Sequence, residues 1–282
     1  MGGRELRDRL RVEPGKPVDL SGWDPRATPL APGGKAATKA VLIQTAEPLA
    51  ALQEALFAEA AWGGRPRVLV VLQGMDTSGK SGVIKHVIGQ VNPQGVHIAS
   101  FKKPTPEELR HHFLWRVRRQ LPKPGFVGIF DRSHYEDVLV VRVHQAVPAD
   151  VIERRYAEIN WFEQRLAADG VTVLKCFLHI SYDEQRKRLL ARLADPTKHW
   201  KFNEADLAER ARWADYQEAY RISLERCSTS QAPWYVVPSD RRWYRNWAVG
   251  RLLLETLRDL DPRYPSPELD IAALKTRLAP NE

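Results

Sequence analysis

Residues Gly74 to Ser81 read Gly-Met-Asp-Thr-Ser-Gly-Lys-Ser, satisfying the pattern G-x-x-x-x-G-K-S/T. They directly follow the strand-like run RVLVVLQ, and Val83, Ile84, Val87 and Ile88 then recur as the apolar stripe of a helix. Strand, loop and helix in this order are the context the pattern requires. A chance match in a chain of this length has a likelihood on the order of one per cent, before that context lowers it further. The physics is specific: Gly74 and Gly79 let the backbone curl, so that N–H groups of Thr77, Ser78 and Ser81 can turn inward. The helix start adds partial positive charge and Lys80 a full one. Such a nest holds phosphate groups. Asp76 is unexpected there, because a carboxylate repels the loop's own ligand unless it binds a cation, takes a proton or points outward to solvent. Cation binding is the stronger reading.

The rest of the chain is organised around that unit. Short apolar runs at Arg67 to Gln73, Val96 to Phe101, Phe126 to Phe130, Val171 to Ile180 and Pro233 to Val237 alternate with charged, helix-periodic stretches. Strands apolar on both faces and separated by helices imply a parallel sheet covered on both sides. The expected class is α/β, a three-layer α/β/α of the P-loop kinase type with five parallel strands and a helical lid. Prolines and glycines crowd residues 13 to 34, so 1–44 is expected to be an extended arm, 45–262 the main domain and 263–282 a surface tail. Two cysteines in 282 residues exclude a disulfide framework. No apolar run approaches the roughly 20 residues a bilayer demands. Charges from Arg4 to Arg11 break up any secretory signal, so the expected location is the cytoplasm.

Two further groups of residues carry chemistry. The run FVGIFD ends in Asp131 and continues RSHYED, which gathers Asp131, Arg132, Glu136 and Asp137 within seven residues at the carboxyl edge of a strand. The acids suit a divalent cation, and Arg132 suits bidentate phosphate binding. His134 is read as an ordinary histidine. Basic residues then cluster twice. Lys102, Lys103 and Arg116 lie beyond the second strand, where open α/β sheets bind ligands. Arg188, Arg192, Lys198 and Lys201 lie in a helix–loop–helix at about 183–212, whose composition resembles the lid that nucleotide kinases fold over a transferring phosphate. The formal net charge of +8 agrees with an anionic substrate.

Together GMDTSGKSG, NPQGVHIASFKKPTPEEL, FLWR, FDRSHYEDVLVVRV, DPTKHWKF and APWYVVPSDRRWYRNW resemble the type-2 polyphosphate kinase family over roughly residues 40 to 262. The resemblance implies reversible phosphoryl transfer between inorganic polyphosphate and ADP, AMP or both, with Mg2+ as cofactor and Mn2+ as its substitute. It carries metal binding onto Asp76 and Asp137, phosphate binding onto Lys80 and Arg132, and lid roles onto Arg188, Arg192, Lys198 and Lys201. It also implies a homodimer or homotetramer, with adenine nucleotides preferred over guanine ones. Ser81 stands where many members carry Asp or Gly. Asp131 stands where members able to use both AMP and ADP often carry Asn; the DRSHYEDVL resemblance points to that bifunctional group and Asp131 to a narrower acceptor choice, so both acceptors stay open. The rivals are an ATP-dependent nucleoside or nucleotide kinase and a nucleic-acid-binding P-loop protein; no zinc finger or aromatic RNA-binding signature supports the latter, so no nucleic-acid or membrane partner is expected.

Overall fold

The computed structural model describes residues 5–278; residues 1–4, with Arg4, and the end of the tail, 279–282, lie outside it. Five strands, β1 (Arg67–Gln73), β2 (Val96–Ser100), β3 (Val127–Asp131), β4 (Val171–His179) and β5 (Trp234–Pro238), form one parallel sheet in the order β2-β3-β1-β4-β5. Each strand falls within a residue of its sequence expectation. β1 is central and wholly buried, as a parallel strand with helices on both faces must be.

Alternation along β1 divides the interior in two. Leu69 and Val71 pack with Phe130, Tyr156, Phe162 and Tyr220 on one face. Val68, Val70 and Leu72 pack with Leu56, Val83, Val87, Trp247 and Leu253 on the other. The helices Ala149–Ala168 and Trp213–Cys227 form the first layer, and Ala46–Ala60, Lys80–His86 and Arg242–Leu260 the second. Order 2-3-1-4-5 places the turn after β1 where the chain changes direction across the sheet, and β3 delivers its last residue beside it: Asp131 pairs with Leu72 and with Ser100. That juxtaposition makes a site.

The extended reading of residues 1–44 needs correction at both ends. Glu5–Leu10 and Lys35–Gln44 are helices. Leu6, Leu10 and Leu42 are buried in the second layer, so tertiary packing orders segments that are too short to be stable helices alone. Between them the Pro/Gly-rich stretch holds only a 3-10 turn at Leu20–Gly22. The Val12 N–H donates to the Trp234 carbonyl at 2.8 Å, and Arg11 bridges Tyr235. The arm thereby covers the β5 edge, which would otherwise present unpaired backbone groups. Beyond Asp261 the last helix, Ile271–Leu278, buries no side chain. Among the described residues no helix is long and apolar enough to cross a membrane.

Candidate active site

The loop closes on left-handed backbone. Gly74 has φ 149°, Gly79 φ 111° and Thr77 φ 65°; at Thr77 the conformation costs on the order of 1–3 kcal/mol, which the surrounding fold has to supply. A Cβ on Gly79 would also lie 1.7 Å from a nitrogen of the Arg245 guanidinium. Gly79→Ala is therefore expected to lower kcat/KM by about ten- to a hundredfold, while the far-ultraviolet circular dichroism stays that of the parent. Met75 anchors the loop in the first core. The Thr77 and Ser78 hydroxyl oxygens are buried with no hydrogen-bond partner among the described residues, the condition of groups that await a ligand.

Lys80 is buried and donates to the Gly74 carbonyl at 2.8 Å. Burial and nearby Arg132 push its ammonium below the ordinary lysine range, and Asp76, Asp131 and Glu136 oppose them. Arg132 sits at the turn after β3 with φ 64°, and its own N–H reaches the Leu72 carbonyl at 3.0 Å. The side chain spans two acids: it donates to Asp76 Oδ1 at 2.9 Å and meets Glu136 Oε2 at 3.4 Å. Although burial opposes it, Glu136 and Asp76 hold the Arg132 guanidinium above its usual range. Burial pushes the Glu136 carboxyl up despite Arg132 and Lys80.

Asp137 is placed elsewhere than the sequence reading has it. It turns away from Asp76 and Glu136 into a pocket of arginines, 3.4 Å from Arg116 and 3.7 Å from Arg155, and Arg155 also donates to its carbonyl at 2.8 Å. Two guanidiniums already neutralise it, so the metal set drawn from Asp76, Glu136 and Asp137 does not come together as one. Among the described residues no three His, Cys, Asp or Glu side chains form a ready-made cage. The carboxylates that do converge on the loop are Asp76, Asp131 and Glu136, all felt electrostatically by Lys80. That set still fits a small hard cation, because Mg2+-type sites use one or two carboxylates and take their remaining oxygens from water and substrate phosphates.

Arg116 bridges the two halves of the basic region. It donates to the Lys102 carbonyl at 2.8 Å and lies over the Phe101 ring at 5.6 Å. Lys102 and Lys103 line, with Ser100, Arg116, Arg119 and Gln120, a cavity of about 430 Å3 beyond the end of β2.

The helix–loop–helix is present as Tyr182–Leu193, a 3-10 stretch Pro196–Lys201 and Ala205–Ala211. Its basic residues have separate fates. Lys198 pairs with Asp195, Lys201 lies over the Trp200 ring, and Arg192 reaches the Lys201 carbonyl at 3.3 Å and Asp206 at 3.8 Å. Arg188 departs from the lid reading altogether. It is buried beneath the phosphate loop and donates to the carbonyls of Thr77 at 2.8 Å, Ser78 at 3.1 Å, Ser239 at 2.6 Å and Asp240 at 2.9 Å, with Glu184 at 2.9 Å. All its donors are spent, so it holds the loop from behind and has none left for a substrate.

Two site-shaping features escape the sequence reading. Arg245 also grips the loop, donating to the Ser78 carbonyl at 2.9 Å; burial, with Arg188 and Arg242 nearby, pushes its guanidinium down to about 9. Its signal was the RWYRNW run and the paired Gly79 and Gly82 that make room for it. The second is an interior ionic network under the RSHYED turn. Lys175, in the middle of apolar β4, donates to Glu163 at 2.5 Å, to the Tyr135 hydroxyl at 2.9 Å and to the Cys227 carbonyl at 2.6 Å. Tyr135 and His134 meet the other Glu163 oxygen at 2.9 and 3.1 Å. A lysine inside VTVLKCFLH was the visible clue.

A cradle of loop amides with a buried lysine, beside an acid-ended neighbouring strand and a guanidinium, defines a P-loop phosphotransferase. The comparisons narrow the class. A family model described as polyphosphate kinase 2 matches residues 34–265. The AMP/ADP-polyphosphate phosphotransferase of Meiothermus ruber is 50% identical over 92% of this chain and 96% of its own length. The ADP-polyphosphate phosphotransferase of Rhodopseudomonas palustris is 42% identical over 91% of both chains. The crystal structure of polyphosphate kinase 2 from Arthrobacter aurescens is 50% identical, covers 98% of this chain and 97% of its own, and superimposes with a TM-score of 0.94. The chain belongs to the polyphosphate kinase 2 family.

Proposed function

We propose that this enzyme moves a terminal phosphoryl group between inorganic polyphosphate and ADP or AMP, in-line and without a covalent enzyme intermediate. The observation that carries the reading is the loop itself. Lys80, donating to the Gly74 carbonyl, and the unpartnered Thr77 and Ser78 hydroxyls belong to one loop, and Arg132 meets that loop at Asp76. No side-chain nucleophile is needed, since the attacking oxygen belongs to a phosphate that is already ionised.

Each residue then has a task. Lys80 leaves the Gly74 carbonyl for a phosphate oxygen. Arg132, held in place by Asp76 and Glu136, neutralises charge that spreads over the equatorial oxygens. Asp76, with Asp131 and Glu136 beside it, would hold the divalent cation, for which we propose Mg2+ with Mn2+ as substitute; when bound, it would supply Lewis-acid neutralisation of phosphate charge. Lys102, Lys103 and Arg116 line the neighbouring cavity and extend the positive surface that a long polyanion requires. Arg192, Lys198 and Lys201 would close over the bound phosphates by exchanging their present partners for substrate. We propose the cytoplasm as the location and a homodimer or homotetramer as the assembly. Adenine nucleotides are the proposed acceptors ahead of guanine ones.

The test is direct. Purified protein with Mg2+, polyphosphate and either AMP or ADP should give ADP or ATP on chromatography, more slowly as sodium chloride rises. Asp76→Ala should lower kcat by about a hundredfold or more while circular dichroism stays unchanged. Turnover with ATP and a nucleoside but none with polyphosphate would replace this reading with that of an ATP-dependent kinase.

A further inference from the structure

Arg245 lies in the helix Arg242–Leu260 and is 3% exposed. Its guanidinium occupies the space that side chains on Gly79 and Gly82 would fill: a Cβ there would sit 1.7 and 2.6 Å from its terminal nitrogens. The protein offers it only neutral acceptors, the Ser78 carbonyl at 2.9 Å and the Asn246 side-chain oxygen at 3.1 and 2.8 Å. Among the described residues no carboxylate forms an ion pair with it, and the charges that bear on it are those of Arg188 and Arg242. Arg188, by contrast, has Glu184. A buried cation with no counter-ion is costly, and a second and third cation nearby make it costlier. The cost is tolerable if an anion regularly arrives on the other side of the loop.

We propose that Arg245 is a positioning residue for phosphate binding. It pins the Ser78 carbonyl outward so that the loop amides stay turned into the cradle, and its charge finds its balance in the phosphates of the bound substrate. The inference rests on the functional reading above, because it takes the loop's ligand to be polyphosphate or a nucleotide. The free protein then carries an uncompensated charge that the bound protein does not.

The experiment uses the full chain and compares parent, Arg245→Gln and Arg245→Lys. Thermal unfolding is followed alone and with Mg2+ plus linear polyphosphate or ADP, and steady-state kinetics are recorded with polyphosphate varied. For Arg245→Gln the expected result is a free-protein Tm equal to or above the parent's, loss of most of the polyphosphate-induced rise, and a KM for polyphosphate about tenfold or more higher, with a smaller change in kcat. Arg245→Lys, which keeps the charge but not the fork, should recover part of the ligand-induced rise.

Three results would overturn the proposal: Arg245→Gln that keeps the parent's rise and KM; Arg245→Gln that is unfolded or loses as much stability free as bound, which makes the residue merely structural; or Arg245→Lys no better than Arg245→Gln. A parent that responds to neither polyphosphate nor ADP sinks the functional reading and this one with it. A parent that responds while both variants behave like it sinks this one alone.

Discussion

Lys80→Ala is expected to reduce kcat by about a thousandfold or more with polyphosphate and either nucleotide, since a cation aimed at a transferring phosphoryl group contributes on that order. The parent ammonium is buried beside the loop, 2.8 Å from the Gly74 carbonyl, and bulk water does little to screen it there. The protein should remain folded, because the substitution removes a charge disfavoured by burial and leaves Val83 of the same helix, and Val87 just after it, in the core. Steady-state kinetics beside circular dichroism decide it. Ordinary rates in a folded Lys80→Ala protein would take the loop out of the mechanism.

Lys175→Met should have the largest effect on stability. It removes the ammonium that reaches Glu163, Tyr135 and the Cys227 carbonyl, and leaves Glu163, 1% exposed, as a buried carboxylate without its cation. Breaking such a pair from one side costs about 3–5 kcal/mol, measured here by urea unfolding. Lys175→Met combined with Glu163→Gln should cost less than Lys175→Met alone, because no orphaned charge remains. The pH dependence has a definite sign. Burial would raise the Glu163 carboxyl, but Lys175 and His134 hold it below its ordinary 4.5. Its folded pKa is thus depressed, so the contribution to stability is present above about 4.5 and is lost as pH falls below that value toward the folded pKa. Equal stability of parent and Lys175→Met near neutral pH would show that the network does not matter. Activity is a secondary readout, since His134 and Tyr135 follow Arg132 and precede Glu136 in the same turn.

The strands were legible because each is a short apolar run whose burial on both faces leaves little choice of structure. The loop was legible because phosphate binding by backbone amides demands glycines at fixed spacing and a lysine after them. Helix Lys35–Gln44 was missed for the opposite reason. KAATKAVLIQ follows a Pro/Gly-rich stretch and gains its order from Leu42 packing against the second layer, a contact no local pattern announces. For Asp137 and Arg188 the sequence offers only charge, spacing and a family resemblance. Such a reading cannot tell a carboxylate presented to a cation from one already enclosed by Arg116 and Arg155, nor a substrate-facing guanidinium from one spent on four carbonyls.

What the order of residues determined by itself is therefore what short-range physics enforces: five parallel strands, the phosphate nest at Gly74 to Ser81, and the acid-ended strand at Asp131. The chain folded in three dimensions decided which charges face the ligand. Arg188 and Arg245 arrive at the Thr77–Ser78 turn from more than a hundred residues away, and Glu163 and Lys175 meet beneath the RSHYED turn from a helix and a strand. The strength and sense of an electrostatic contact depend on burial and on every neighbouring charge, and those are properties of the packed interior, not of spacing along the chain.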